Sequence, residues 1–195
     1  MPLVPDVLSA IGNTPLVQRA GGTVVEYTSG TTGVSIALVC AAKGYGLEIV
    51  YSDAFTEEKR LTMHALGARL TMVPSDEKRI NEALIRRMIE TAREISTRPG
   101  VFWTDQLNSH DAIMGYHALG QELWTQTDGG IDAFVHAIGT AHSIHGAARA
   151  LRTQKPALHA VAALRVAERL ESAATVATII VDSGLRYLST DLYQA

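Results

Sequence analysis

The chain has little cysteine, little lysine and no long apolar run. Its one cysteine, Cys40, cannot form an internal disulfide. Cys40 falls on an apolar helical face, which fits a buried, inert thiol better than a nucleophile. No segment is long and apolar enough to span a bilayer, and the N-terminus lacks the basic start and apolar run of a signal peptide. The expectation is a cytoplasmic protein. A net charge of −3 gives no electrostatic case for nucleic acid or an anionic membrane. There are four lysines, Lys43, Lys59, Lys78 and Lys155. Lys43 precedes Gly44 at a helix end, Lys59 sits in Glu57-Glu58-Lys59-Arg60, Lys78 follows Asp76-Glu77, and Lys155 precedes Pro156. Each reads as a solvated surface residue, whereas a catalytic lysine must be desolvated.

What is present suits a globular α/β protein. Hydrophobic residues make up 47% and charged residues 19% of 195 positions, enough for one domain or two small ones. Strand-like runs cover Thr23–Tyr27, Leu47–Tyr51, Arg69–Val73, Val101–Trp103, Ala133–Ala137, Leu158–Val161 and Thr175–Val181. Helical runs cover Val34–Lys43, Glu57–Leu66, Lys78–Ile95, Asp111–Thr127, Ser143–Arg152 and Ala162–Leu170. This alternation predicts parallel sheets flanked by helices. No internal repeat or low-complexity segment interrupts it.

Two strand-to-helix turns stand out. Glu26-Tyr27-Thr28-Ser29-Gly30-Thr31-Thr32-Gly33 reads as a strand end, a hydroxyl-rich glycine turn and a helix start. Such a helix N-terminus offers unpaired amides and a positive dipole end to a carboxylate or phosphate. The same pattern also suits a capped helix with no ligand. Gly139-Thr140-Ala141-His142-Ser143 repeats the theme, either as a phosphate cradle or as a plain turn with Ser143 as N-cap. His136, His142 and His145 form no convincing metal set, since no cysteine or carboxylate joins them at ligand spacing.

Ordered motifs then point to a family. Ile11-Gly12-Asn13-Thr14-Pro15-Leu16-Val17 resembles the IGNTPLV signature of cysteine synthases and related fold-type II pyridoxal-phosphate enzymes, a group that includes cystathionine β-synthase. Thr28-Ser29-Gly30-Thr31-Thr32-Gly33 resembles their TSGNTG substrate loop. Ala41-Ala42-Lys43-Gly44-Tyr45, Ala65-Leu66-Gly67-Ala68 and Gln106-Leu107 fall where the family has AAKGY, ALGA and QF. Asp132-Ala133-Phe134-Val135 with Gly139–Gly146 follows DAFV…GTGGTITG, and Asp182–Thr190 is close to PDSGERYLST.

The resemblance implies a tryptophan synthase beta-like fold of two domains. Residues 21–105 would form a smaller mobile substrate-loop domain, and 1–20 plus 106–195 the remnant of a larger cofactor-binding one. It implies pyridoxal phosphate as cofactor, with Thr31, Gly139, Thr140, Ala141, His142 and Ser143 around it. Thr28, Ser29, Gly30, Thr32 and Gln106 would hold the substrate carboxylate. Thr31 replaces the asparagine that meets the cofactor ring, and Ala141 and His142 replace glycines, the former a mild change that restricts φ. Two segments of the pattern are missing. The S-x-K-D-R stretch with the Schiff-base lysine should lie between Ala20 and Gly21, and the segment with the pyridine-facing serine should lie near Ala160–Ala163. The chain is either an internally shortened member or an incomplete sequence of one. Its larger sheet is expected to carry unprotected edges.

The implied activity is β-replacement on an activated serine, as in cysteine biosynthesis, impaired here by the absent lysine, so that no catalytic residue is assigned. The other reading is a non-catalytic relative that binds a small anion or a partner. A small amino-acid substrate is expected, with no nucleic acid, membrane or metal. Homodimers are usual in the family, and the missing segments bear on that interface.

Overall fold

The computed structural model of the chain describes residues 22–161 and 174–179. The Ile11–Val17 signature, the Ala20-Gly21 junction, the helix expected over Ala162–Leu170 and the Asp182–Thr190 ending lie outside the described residues. Those described fall into two compact units, 22–105 and 106–161 with 174–179.

The first unit runs β1 (Thr23–Tyr27), α1 (Thr31–Lys43), β2 (Gly46–Ser52), α2 (Glu57–Ala65), β3 (Arg69–Val73), α3 (Glu82–Ser96) and β4 (Val101–Trp103). Its parallel sheet has the order β3-β2-β1-β4. Parallel neighbours require crossovers, which the helices supply. β2 has buried neighbours on both faces, and Leu47, Ile49, Val50 and Tyr51 are all buried. Leu84, Met88, Ala92 and Ile95 line one stripe of α3 and share a core with Val25, Tyr27, Val50 and Val73. Full burial of Leu84 and Met88 stabilises by about 2 kcal/mol each. Cys40 is buried on α1, and burial pushes its thiol up to about 11, which keeps it protonated at neutral pH.

The second unit runs α4 (His110–Gly115), α5 (His117–Gln126), β5 (Ile131–Val135), α6 (His142–Gln154), β6 (His159–Val161) and β7 (Thr175–Thr178). Its parallel sheet has the order β6-β5-β7. Leu123, Ile131, Phe134, Ala147, Leu151 and Leu158 form its core. α6 lies against α4 and α5 so closely that a Cβ at Gly146 would stand 2.7 Å from Tyr116 Cβ.

Several boundaries differ from the sequence reading. α3 starts at Glu82 rather than Lys78, because Glu77 and Lys78 turn at φ 53° and 57° and the Asn81 side chain accepts the Leu84 amide at 2.8 Å. The single helix expected over Asp111–Thr127 is two, broken at Tyr116. β5 ends at Val135 rather than Ala137, since its pairing with β6 and β7 stops there. On β3 and β4, the outer strands of this sheet among the described residues, Met72 and Phe102 are exposed. Among the described residues no helix is long and apolar enough to cross a membrane.

Candidate active-site turns

The first turn joins β1 to α1. The β1–β2 ladder reaches one residue past the strand, with Thr28 N–H donating to the Val50 carbonyl at 3.2 Å. The Thr28 hydroxyl oxygen, buried with its residue, accepts the Gly30 amide at 2.9 Å. That bond shapes the turn and occupies one amide of the set. Gly30 is the N-cap of α1 at φ 133°, ψ −50°, with no side-chain cap and no acid in the helix's first turn. Ser29 and Thr31 are exposed and Thr32 is half-buried, so their hydroxyls and the first amides of α1 form the accessible polar surface.

Just before the turn, the fully buried Glu26 carboxylate accepts the Tyr27 amide at 2.9 Å, Trp103 Nε1 at 3.3 Å and the Thr104 hydroxyl. A buried carboxylate without such donors would be costly, so this network anchors the strand end.

Lys59 corrects the sequence reading most sharply. It belongs to a charged run, yet it is 7% exposed. A Cβ built at Gly30 would fall inside the Lys59 stem, 2.9 Å from its Cβ and 3.1 Å from its Cγ. Met63, one helical turn further along α2 and fully buried, covers Gly33 in the same way. The Tyr51 hydroxyl donates to the Thr56 carbonyl at 2.9 Å and lies 3.5 Å from the Ser29 carbonyl. Burial pushes that hydroxyl up to about 12, so it stays a donor. The four-residue spacing of Lys59 and Met63 was the available sequence signal for this buried face.

The other lysines divide. Lys43 and Lys78 are exposed, as expected. Lys155 is not simply solvated: its Nζ donates to Asp132 Oδ1 at 2.6 Å and to the Ile131 carbonyl at 3.0 Å.

The second turn joins β5 to α6 in the other unit. His136 is buried and stacks on Phe134 with ring centroids 5.7 Å apart. Burial lowers its pKa, which keeps the ring neutral. Gly139 is exposed, and a Cβ there would meet nothing within 4 Å. The N-cap of α6 is Ala141 at φ 65°, without a side-chain cap, so Ser143 is not the cap. Nor is Ala141 a mild change, because it holds a left-handed conformation natural to glycine. His142 is buried in the first turn, and its pKa is lowered by burial and then by His145. The helix closes its first bond from the His145 amide to the Ala141 carbonyl at 2.9 Å. The amides of His142, Ser143 and Ile144 therefore lack intrahelical acceptors. Thr140 and Ser143 are half-buried beside them.

Thr28, Ser29, Gly30, Thr31 and Thr32 thus share one turn of the first unit. Gly139, Thr140, Ala141, His142 and Ser143 share one turn of the second, and the half-buried Gln106 begins that unit. Among the described residues, no group of three or more His, Cys, Asp or Glu is placed to hold a metal ion.

Comparison with known proteins gives these turns a context. The family profile of pyridoxal-phosphate dependent enzymes matches residues 7–184. Cysteine synthase B of Pseudomonas aeruginosa is 34% identical over 148 residues, covering 73% of this chain and 46% of that protein. Cysteine synthase B of Escherichia coli is 33% identical over 137 residues, covering 70% and 43%. The chain therefore spans less than half the length of these relatives. Among solved structures, the cysteine synthase of Entamoeba histolytica superimposes with a TM-score of 0.63 at 27% identity, over 74% of this chain and 42% of that one. An O-ureido-L-serine synthase reaches a TM-score of 0.79 at 20% identity, over 91% and 78%, a likeness of fold. These matches imply pyridoxal phosphate as the cofactor and the tryptophan synthase beta-like fold. With its parallel sheets, its helix-flanked strands and a match over most of its length, the chain belongs to the pyridoxal-phosphate-dependent enzyme family, among its cysteine synthase-like members.

Proposed function

We propose that the chain carries the substrate and phosphate turns of an enzyme for β-replacement on an activated serine, and that it is catalytically impaired as it stands. The observation that carries this reading is the contrast between two open helix N-termini and the fate of the lysines. Neither α1 nor α6 has a side-chain cap or an acid in its first turn, which leaves amides for anions.

The phosphate end of the cofactor fits the second turn. Gly139 leaves open space, and the His142, Ser143 and Ile144 amides with the Thr140 and Ser143 hydroxyls would hold the phosphate. Neutral His142 would donate a hydrogen bond rather than a charge. When bound, the cofactor supplies an electron sink for carbanion chemistry. In the first turn, Ser29, Thr32 and the α1 amides would grip the substrate carboxylate, with Thr28 setting the turn.

No lysine fits covalent attachment. Lys43 and Lys78 are exposed, Lys155 is engaged by Asp132, and the Lys59 stem packs on Gly30. The first turn offers only hydroxyls and amides, none of which replaces a lysine amine as the base for the α-proton. The lysine inventory favours a second reading, a non-catalytic relative that binds an amino-acid carboxylate. On either reading the protein is expected in the cytoplasm.

Incubation with pyridoxal phosphate, borohydride reduction and peptide mapping tests the proposal. The expected result is no stoichiometric labelling of any lysine and no sulfhydrylase activity. Stoichiometric labelling of one lysine together with activity overturns it.

A further inference from the structure

The hydroxyl turn is shaped by a residue outside it. Gly30 at φ 133°, ψ −50° sits in a region that L side chains rarely adopt. An unrestrained glycine samples both signs of φ, so the observed conformation is held from outside, by the Thr28 hydroxyl bond and by packing. Lys59 supplies that packing. Its stem lies where a Gly30 side chain would be, while Met63 covers Gly33 from the same face of α2. Tyr51 ties the start of α2 to the turn through the Thr56 and Ser29 carbonyls. A lysine stem buries readily along apolar surface, and its length suits this span.

We infer that Lys59 is a positioning residue for the hydroxyl turn: its aliphatic stem fixes Gly30 and thereby sets where Ser29, Thr31, Thr32 and the first amides of α1 stand. The inference rests on the reading of this turn as a carboxylate site and adds to it a residue that no turn motif contains. The stem, rather than the charge, carries the role.

Three variants separate stem from charge. Lys59→Met keeps an unbranched stem without the ammonium, Lys59→Leu shortens it, and Lys59→Ala removes it. The first readout is ligand-free: amide shifts and hydrogen exchange at Gly30 and Thr31, with Gly146 of the other unit as an internal reference for folding. Lys59→Ala is expected to move the Gly30 and Thr31 signals and speed their exchange, Lys59→Leu to do so in part, and Lys59→Met to leave them near wild type. The second readout is titration with O-acetylserine. Lys59→Ala should weaken binding by about fivefold, the weight of one lost hydrogen bond, with Lys59→Met restoring most of it. If Lys59→Ala does not fold, the comparison of Lys59→Leu with Lys59→Met decides the matter in the same way. Unchanged Gly30 and Thr31 signals in the shortened variants overturn the inference, as does a Lys59→Met protein as perturbed as Lys59→Ala. A wild-type protein that shows no O-acetylserine shifts refutes the carboxylate reading instead, and the ligand-free comparison still decides the role of Lys59.

Discussion

The Gly30 and Ala141 turns do the same geometric job by opposite means. Each follows a parallel strand and opens a 13-residue helix with no side-chain cap. Gly30 has no freedom around it, because Lys59 fills the adjacent volume. Ala141 holds φ 65° although it is not glycine, and nearby Gly139 faces open space. One turn is moulded by tertiary packing, the other by strain accepted at a helix start. An uncapped N-terminus thus needs no particular residue, only something that prevents the chain from relaxing.

The largest effect should come from crowding the packed turn. Gly30→Ala places a methyl inside the Lys59 stem at a positive φ, and is expected to cost about 3 kcal/mol. Gly139→Ala, with no neighbour within 4 Å, should stay within about 0.5 kcal/mol. Denaturant melts of the two variants check this, and equal costs would break the contrast. Next comes Ala141→Val. A β-branched residue at φ 65° should destabilise by about 2 kcal/mol. A neutral result in the melt of the second unit would mean that this turn relaxes freely.

The smallest effect concerns the base of the second sheet. The Lys155 ammonium and the Thr175 amide hold the Asp132 carboxyl below its usual range. A lowered folded pKa stabilises above the ordinary aspartate range, and that contribution is lost as pH falls through the lowered value. Both side chains are more than a third exposed, so solvent screens the pair. Thermal melts between about pH 6 and 3 should therefore fall slightly more steeply for wild type than for Asp132→Asn. Parallel curves would show that the pair contributes nothing.

Much of the fold was legible because its signals are local. β1, β3 and β4 occupy the runs expected from β-branched and apolar residues, and α1 ends before Gly44, which takes φ 72°. Both turns were visible as hydroxyl- and glycine-rich steps between a strand and a helix. Less legible was anything set by a partner. β5 stops where β6 and β7 stop pairing with it, and the break at Tyr116 lies where α6 brings Gly146 close.

By itself the sequence determined the βα alternation, the motif order that marks the family and the poverty in lysine, because each depends on residue identity and spacing alone. Only the tertiary structure decided which charged residues are solvated. Lys59 and Lys155 read alike in the sequence, yet one lays its stem against a glycine across a helix crossover and the other reaches a carboxylate at the foot of a distant strand. A lysine's environment depends on what lies within a few ångströms in space, and neighbours along the chain do not fix that.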